Sequence, residues 1–236
     1  QYVIYKDEVY VLEVNPRSSR TVPFLSKITG VPIVDLATRV ILGESLASMG
    51  IQSGLWPEGE RVAVKAPVFS FSKLLLVEPS LGPEMKSTGE VMGIDLQYQK
   101  ALFKALLAAG MYMAVHGTLL ATLADRDKEE GIKLVQRFYN LGFRIIATEG
   151  TAKAIRNAGI EVATVQKLHA GSEEIPERIR QGQVQCVLNT TTNGRKTASD
   201  GFAIRRSAVE QGIPCFTSLD TAEAWLQVLE DRKSVV

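Results

Sequence analysis

The chain has 236 residues, of which 27 are basic, 26 are acidic and 45% are hydrophobic. The charges are also balanced along the chain, with 11 basic and 11 acidic residues before Val115 and 16 and 15 from there on. This balance excludes the concentrated positive field of a nucleic-acid or membrane-surface binder, and no apolar run is long enough to span a bilayer. The composition predicts a folded cytoplasmic protein of one or two domains, in which Cys186 and Cys215 are buried thiols rather than a disulfide.

The first predicted element is a β-hairpin with strands at residues 1–5 and 9–14. On the second strand, Leu12 and Val14 alternate with polar residues and are expected to face a core. A lone hairpin is marginally stable at best. We therefore expect its partner strands to lie outside this chain, which we interpret as the C-terminal part of a longer polypeptide.

The second strand runs into an acid, an amide and two arginines, in the sequence EVNPRSSRT. Because residues two apart on a strand share a face, Glu13 and Asn15 present their oxygens together, and such oxygens suit Mg²⁺ that bridges phosphates. Pro16 ends the strand, and Arg17 and Arg20 follow within reach of a phosphate held by that metal. The pattern indicates either a metal-and-phosphate site or a solvated strand end with ordinary surface charges.

Four segments follow before the pattern changes. Helical spacing of apolar residues predicts helices at residues 32–46 and 98–109. Alternation predicts a strand at residues 61–69. Residues 78–93 contain three glycines and two prolines and have neither period, so they are expected to form a structured loop.

From about residue 117 the pattern alternates between short β-rich runs and amphipathic helices. Strands are predicted at residues 119–123, 143–148, 161–165, 184–190 and 213–218. Helices are predicted at residues 128–140, 151–157, 175–180, 202–211 and 221–230. Alternation of this kind indicates right-handed crossovers and a parallel sheet that is covered on both faces.

Ligands of such sheets bind beyond the carboxyl ends of the strands, where this sequence places polar and basic groups. Thr148 and Thr151 flank Gly150 at the start of a predicted helix, whose free backbone N–H groups favour an anion. Lys167 follows the third strand and supplies a point charge for phosphate. The fourth strand ends in the sequence NTT at residues 189–191. The two threonines around Gly150 are otherwise explained as helix caps, but convergence at one edge favours an anion site.

These motifs carry a family resemblance. The order E-x-N-P-R-x-x-R resembles the metal-and-phosphate motif of ATP-grasp ligases, and more narrowly that of the large subunit of carbamoyl phosphate synthetase. The motifs T-x-G-T, K-x-H-x-G and N-T-T resemble the methylglyoxal-synthase-like domain that ends this subunit. The resemblance implies an α/β chain in which the C-terminal part of an ATP-grasp domain, residues 1–112, precedes a Rossmann-like parallel-sheet allosteric domain, residues 113–236.

The resemblance also implies an activity. The intact enzyme would make carbamoyl phosphate from bicarbonate, glutamine-derived ammonia and two ATP with Mg²⁺ or Mn²⁺, for pyrimidine and arginine biosynthesis. It would work with a glutaminase small subunit and as an oligomer, and its regulatory domain would bind a nucleotide or ribose-phosphate effector. This chain would belong to the half that phosphorylates carbamate, and alone it is expected to be inactive.

By position, the resemblance assigns roles to individual residues. Glu13 and Asn15 match metal ligands, with Gln1 at the position of a third, and Arg17 and Arg20 match phosphate-side arginines. The effector contacts matched by position are Lys128, Thr148, Thr151, Lys167, Asn189, Thr190 and Thr191.

A free-standing lyase of the methylglyoxal synthase type is the alternative. That chemistry needs a carboxylate base beside the bound phosphate, but Ser172 occupies the position of one family Asp and residues 189–192 contain no acid. A binding module without turnover is therefore favoured. The effector is left open among uridine nucleotides, purine nucleotides and phosphoribosyl pyrophosphate, and residues 193–201 are expected to form a flap that selects it. Arg205 and Arg206 are expected to lie at the solvated surface.

Overall fold

The computed structural model describes residues 1–71, 79, 85–166, 173–191 and 200–234. Contacts divide the chain into two compact units, residues 1–61 and 62–236. The predicted boundary after residue 112 falls inside the second unit, and the division into functional domains stays a prediction. Within the described ranges, no helix is both long and apolar enough to cross a membrane.

The first unit contains the hairpin and two short helices: β1 (Tyr2–Tyr5), β2 (Glu8–Val11), α1 (Thr21–Thr29) and α2 (Ile33–Ile41). The two strands pair antiparallel. Their turn residues Lys6 and Asp7 have φ of 51° and 62°, the left-handed conformation that tight hairpins use because it matches the twist of the strands. The predicted hairpin is confirmed, and the helix predicted at residues 32–46 is shorter than expected.

The prediction that Leu12 and Val14 face a core is wrong. β2 ends at Val11, and the two side chains are 59% and 78% exposed. The reason is that residues 1–61, all of which are described, bury no side chain. Leu12 still donates its backbone N–H to Gln1 O at 2.8 Å, so the chain keeps its pairing for one residue beyond the strand.

The second unit begins with an antiparallel pair of strands under a helix: β3 (Val62–Phe69), β4 (Ser87–Asp95) and α3 (Tyr98–Ala108). The expectation of a loop over residues 78–93 is wrong for its second part, which is β4. The glycines of β4 interrupt its alternation, so a search for periodicity does not find the strand. At Gly93 the structure shows why a glycine is needed. A Cβ built there would lie 2.0 Å from Ala101 O and 2.6 Å from Ala105 N, so the backbone of α3 contacts the strand directly.

A five-stranded parallel sheet follows, with strand order β7-β6-β5-β8-β9. The strands are β5 (Thr118–Thr122), β6 (Arg144–Thr148), β7 (Ala163–Val165), β8 (Cys186–Asn189) and β9 (Cys215–Phe216). The helices are α4 (Lys128–Asn140), α5 (Glu149–Asn157), α6 (Glu174–Arg180), α7 (Asp200–Glu210) and α8 (Leu219–Ser234). The predicted fold class is confirmed, and the predicted bounds differ by two residues at most, except at the end of α8.

Two hydrophobic clusters cover the two faces of the sheet. Leu119 belongs to the cluster that contains Phe138 and Trp225, whereas its neighbour Leu120 belongs to the cluster that contains Ile204. This alternation follows from the two-residue period of a strand. α3 also packs on α8, where the Arg232 guanidinium lies 4.6 Å from the centre of the Phe103 ring. The β3–β4–α3 layer therefore shares its packing with the sheet.

Both cysteines are free thiols rather than a disulfide, as predicted, but only Cys186 is fully buried, whereas Cys215 is partly exposed. Cys186 lies in the cluster around Phe138, whereas Cys215 packs partly against the cluster around Ile204. Burial raises the pKa of the Cys186 thiol well above its ordinary value. A buried, protonated thiol is chemically inert, so Cys186 contributes packing rather than reactivity.

The close approach at Gly93 predicts a matched pair of stabilities. Gly93→Ala should destabilise the second unit by about 1–3 kcal/mol, because the new methyl group meets helix backbone that cannot rotate away. Gly89→Ala on the same strand should be nearly neutral, since its Cβ would meet only Val68, at 3.6 Å. Denaturant unfolding of both variants measures the difference. Equal stabilities would contradict the packing described here.

Candidate functional site

The predicted metal ligands lie together at the end of the hairpin. Asn15 Nδ2 donates to Glu13 Oε1 at 2.9 Å, and the Gln1 amino group donates to the backbone oxygen of Glu13, also at 2.9 Å. The expected proximity of Glu13 and Asn15 is thus present, although it arises beyond the strand rather than on it. Carboxylate and amide oxygens are hard ligands, so the donor types at Glu13 and Asn15 are those that Mg²⁺ and Mn²⁺ prefer.

The two predicted phosphate-side arginines follow at once. Arg17 donates its backbone N–H to Asn15 O at 2.8 Å, which folds the chain back beside the ligands, and Arg20 directly precedes α1. Both side chains are exposed. The segment therefore brings two candidate oxygen ligands and two guanidinium groups into eight consecutive residues, a combination suited to a metal-bound phosphate.

The second candidate site lies at the carboxyl edge of the parallel sheet. β5 is the central strand, and the chain continues from it to β6 and β7 on one side and to β8 and β9 on the other. The ends of β5 and β8 therefore mark the topological switch point, where parallel sheets leave a crevice for ligands. Thr122 and Asn189 are paired in register at that point.

Two predicted effector contacts fix the chain that leaves β5. Thr151 Oγ1 accepts a hydrogen bond from Leu123 N at 3.0 Å, and Thr190 Oγ1 accepts one from Ala124 N at 2.8 Å. Both threonines are buried, with exposures of 2% and 7%. Each hydroxyl retains its own proton as a donor. The two residues thus shape the crevice, and each hydroxyl proton can still donate to a ligand.

Asn189 is held on both sides. Its Nδ2 donates to Thr122 Oγ1, and its Oδ1 accepts a hydrogen bond from Arg205 Nη1 at 2.7 Å. The prediction that Arg205 and Arg206 lie at the solvated surface is wrong, because their exposures are only 6% and 8%. Arg206 Nη1 instead donates to Phe71 O at 3.0 Å. Burial of these guanidiniums follows from the packing of α7 on the sheet, which the charges in its sequence conceal.

Lys128, the first residue of α4, lies beside the start of α5. A Cβ built at Gly150 would lie 3.8 Å from Lys128 Nζ, and the ammonium pairs with Asp125 Oδ1 at 2.6 Å. Thr148 precedes α5 in an extended conformation and makes no side-chain cap, so the helix-cap explanation does not hold for it. The free N–H groups of the first turn of α5 and the Lys128 ammonium thus favour an anion at the same place.

The structure describes some, but not all, of the remaining predicted effector contacts. The backbone oxygen of Thr191 accepts a hydrogen bond from Arg126 Nη2 at 2.7 Å, so Thr191 also adjoins the segment after β5. Lys167 lies outside the described residues, and so do Ser172 and residues 193–199 of the predicted flap. Asp200 and Gly201, the last two flap residues, form the first turn of α7. The structure therefore brings together six of the seven predicted contacts: Lys128, Thr148, Thr151, Asn189, Thr190 and Thr191.

The carboxylates that follow β7 are already engaged. Glu174 Oε2 accepts a hydrogen bond from Gln166 N at 3.0 Å, and this bond, together with Arg178, holds the pKa of Glu174 below its usual range. Glu173 pairs with Arg180 at 3.2 Å. An ionised carboxylate with a lowered pKa is a weak general base. Glu174 is therefore poorly suited to act as the base in a lyase.

Sequence reasoning missed three residues of this edge: Thr122, Asp125 and Arg205. Thr122 is the last residue of β5, so the rule that had selected Thr148 and Asn189 could have found it. Asp125 lies three residues before Lys128 at the start of a helix, a spacing that indicates an ion pair. Arg205 had no comparable signal, because only the tertiary packing of α7 shows that it is buried.

Comparison with known proteins gives two family matches in different parts of the chain. Residues 1–49 match the carbamoyl-phosphate synthase L chain, ATP binding domain, and residues 130–217 match the MGS-like domain. Among solved structures, the methylglyoxal synthase from Elizabethkingia anophelis NUHP1 is similar, with 24% identity and a TM-score of 0.42 over 48% of this chain and 79% of that one.

The two matches coincide with the two candidate sites. The first contains the hairpin motif with Glu13 and Arg20, and the second contains the ends of β6 and β8 with Thr148 and Asn189. The chain thus joins a segment similar to the carbamoyl-phosphate synthase L-chain ATP-binding domain to a segment similar to the MGS-like domain, and this succession matches the C-terminal part of a carbamoyl phosphate synthetase large subunit.

Proposed function

We propose that this chain is the regulatory end of a glutamine-dependent carbamoyl phosphate synthetase, an ATP-dependent ligase that makes carbamoyl phosphate from bicarbonate, glutamine-derived ammonia and two ATP. The succession of the two family matches carries this proposal. The cytoplasm, the glutaminase small subunit, an oligomeric state, and service to pyrimidine and arginine biosynthesis are parts of the same proposal, and they rest on the resemblance alone.

In this proposal the hairpin motif contributes to the carbamate-phosphorylating site. Bound Mg²⁺ or Mn²⁺ would neutralise phosphate charge there, with Glu13, Asn15 and Gln1 as the residues that hold it. Arg17 and Arg20 would bind the oxygens of the transferring phosphoryl group, whose charge their guanidinium forks match. Catalysis by these residues is positioning and charge stabilisation, and neither residue needs to move a proton.

The carboxyl edge of the parallel sheet would hold the phosphate of a nucleotide or ribose-phosphate effector. The first turn of α5 supplies backbone donors, and Lys128 supplies positive charge. Thr191 and Asn189 lie across the crevice on the β8 side. Lys167, as a further phosphate contact, stays a prediction. Because the carboxylates after β7 are ion-paired, the site would bind its ligand without converting it.

The proposal predicts that Lys128→Met weakens effector binding. Loss of a charged hydrogen-bond donor to phosphate should reduce affinity roughly tenfold or more. The matched control is Lys133→Met on the same helix, since Lys133 is exposed and lies away from the first turn of α5. Calorimetric titration of the chain with a uridine nucleotide, a purine nucleotide and phosphoribosyl pyrophosphate measures both. If the Lys128 variant binds as tightly as wild type, the phosphate does not lie at α5.

The chain should not convert dihydroxyacetone phosphate to methylglyoxal. A colorimetric product assay with the purified chain tests this, with an authentic methylglyoxal synthase as the positive control. Turnover above background would support the lyase alternative. It would also require a carboxylate base, and Asp125, 94% exposed in its side chain and paired with Lys128, would be the first described residue to replace.

The hairpin site makes a separate prediction. This chain alone should show no ATP-dependent formation of carbamoyl phosphate, because ligands on one hairpin cannot position a nucleotide. In the intact enzyme, Glu13→Ala should strongly reduce the carbamate-phosphorylating half-reaction and raise its Mg²⁺ requirement. Glu8→Ala is the matched control, since Glu8 lies on the same hairpin at its turn end. Unaltered Mg²⁺ dependence in the Glu13 variant would contradict the metal assignment.

A further inference from the structure

Two consecutive buried arginines on α7 point to a connection between separate parts of the second unit. Arg205 contacts Asn189 at the carboxyl edge of the sheet, whereas Arg206 contacts the backbone of Phe71, 135 residues earlier in the chain. Consecutive helical residues are about 100° apart around the axis, so one rigid helix presents its two guanidiniums in different directions. Both contacts therefore depend on the position of α7.

Buried guanidiniums are costly in free energy. Removing an arginine from water costs several kcal/mol unless good hydrogen bonds compensate, so buried charges are weak contributors to stability and better suited to fixing one arrangement. Arg206 is held on both sides, because its Nε donates to Glu210 Oε1 at 2.7 Å and its Nη1 donates to Phe71 O. A planar fork of this kind reaches two partners at once, which a lysine ammonium cannot do in the same geometry.

The amide of Asn189 is the part of this arrangement that a ligand would contact. Because Thr122 and Arg205 hold its two ends, the amide cannot rotate without breaking both bonds. A ligand that bonds to the remaining Nδ2 proton would fix the amide and, with it, the Arg205 guanidinium. Once the ligand has ordered Asn189, ordering Arg205 costs less conformational entropy. Coupling of this kind needs no large displacement.

The contact of Arg206 with Phe71 lies just beyond β3. Phe71 follows β3 and stacks on Phe69, with ring centres 5.1 Å apart. A cavity of about 330 Å³ adjoins this pair and is also lined by Arg205 and Val209 of α7. Well-packed elements have little freedom to shift, whereas a helix beside a cavity has more. α7 and the end of β3 line the same cavity.

We propose that α7 couples the effector edge of the sheet to the end of β3, through Arg205 on Asn189 and Arg206 on Phe71. This inference rests on the proposed function, since it takes the carboxyl edge as the ligand site. Ligand binding at Asn189 restricts the motion of α7, and α7 in turn restricts the motion of residues 66–71.

Hydrogen–deuterium exchange of the whole chain tests the coupling. The probe is whichever of the uridine nucleotide, the purine nucleotide and phosphoribosyl pyrophosphate binds by calorimetry. In the wild type, saturating probe should slow amide exchange at residues 66–71 by between about 5- and 150-fold, the usual range of coupling between sites. Arg206→Lys should still bind the probe but lose most of this protection. Arg144→Lys, an exposed arginine at the opposite edge of the sheet, should retain it.

A second variant tests the link without any ligand. A Cβ at Gly201 would lie 2.8 Å from Arg205 Nη1, so Gly201→Ala should displace this guanidinium from Asn189 without changing a charge. Faster exchange at residues 66–71 in the unliganded variant supports the coupling. If both Gly201→Ala and Arg206→Lys leave these amides unchanged while their thermal midpoints show a folded chain, the coupling is refuted.

The two proposals fail in different ways. If the wild type binds the probe and residues 66–71 show no change in exchange, the coupling is wrong and the effector site stands. If no probe binds while Gly201→Ala alters exchange at residues 66–71, the proposed function is wrong and the link through α7 stands.

Discussion

The hydrogen-bonding needs of the chain that leaves β5 constrain the whole carboxyl edge of the sheet. Its buried backbone donors at Leu123 and Ala124 must find acceptors, since an unsatisfied buried N–H costs on the order of 1–3 kcal/mol. Thr151 of α5 and Thr190 after β8 supply them. One segment therefore fixes how a helix on one side and a strand on the other approach each other. The crevice between them has a defined shape before any ligand arrives.

In this arrangement, the threonines of the predicted binding motifs have a structural role. The family resemblance assigns Thr151 and Thr190 as effector contacts, and in the structure their oxygens accept hydrogen bonds from the protein itself. In the proposed effector site, Lys128 and the first turn of α5 would attract the anion, whereas the threonines hold the chain that leaves β5. A substitution at Thr151 would therefore disturb folding and binding together, and Lys128 is the residue whose loss would separate the two.

Much of the fold could be predicted because it depends on local patterns. The period-two and period-3.6 alternation after residue 117 located all five strands and five helices, and the rule on carboxyl ends placed Thr148 and Asn189 at one edge. β4 could not be found in this way, because Gly93 is explained only by the α3 backbone that lies against it. Arg205 and Arg206 were misjudged for a related reason: charge in a sequence predicts exposure, and only packing shows which charges are buried. Leu12 and Val14 were misjudged in the opposite direction, since alternation alone does not provide a core.

The edges of the parallel sheet have a consequence for association. The outer strands are β7, with three residues, and β9, with two, so each border offers very few free backbone groups. Arg156 also donates from Nη2 to Val162 O and to Thr164 Oγ1, which occupies the border beside β7. An extended segment from another molecule therefore finds almost no template to extend. The central strands are rich in Ile, Val and Leu and would be prone to fibril formation if exposed, and their position between two short border strands limits edge-to-edge pairing of the parallel sheet.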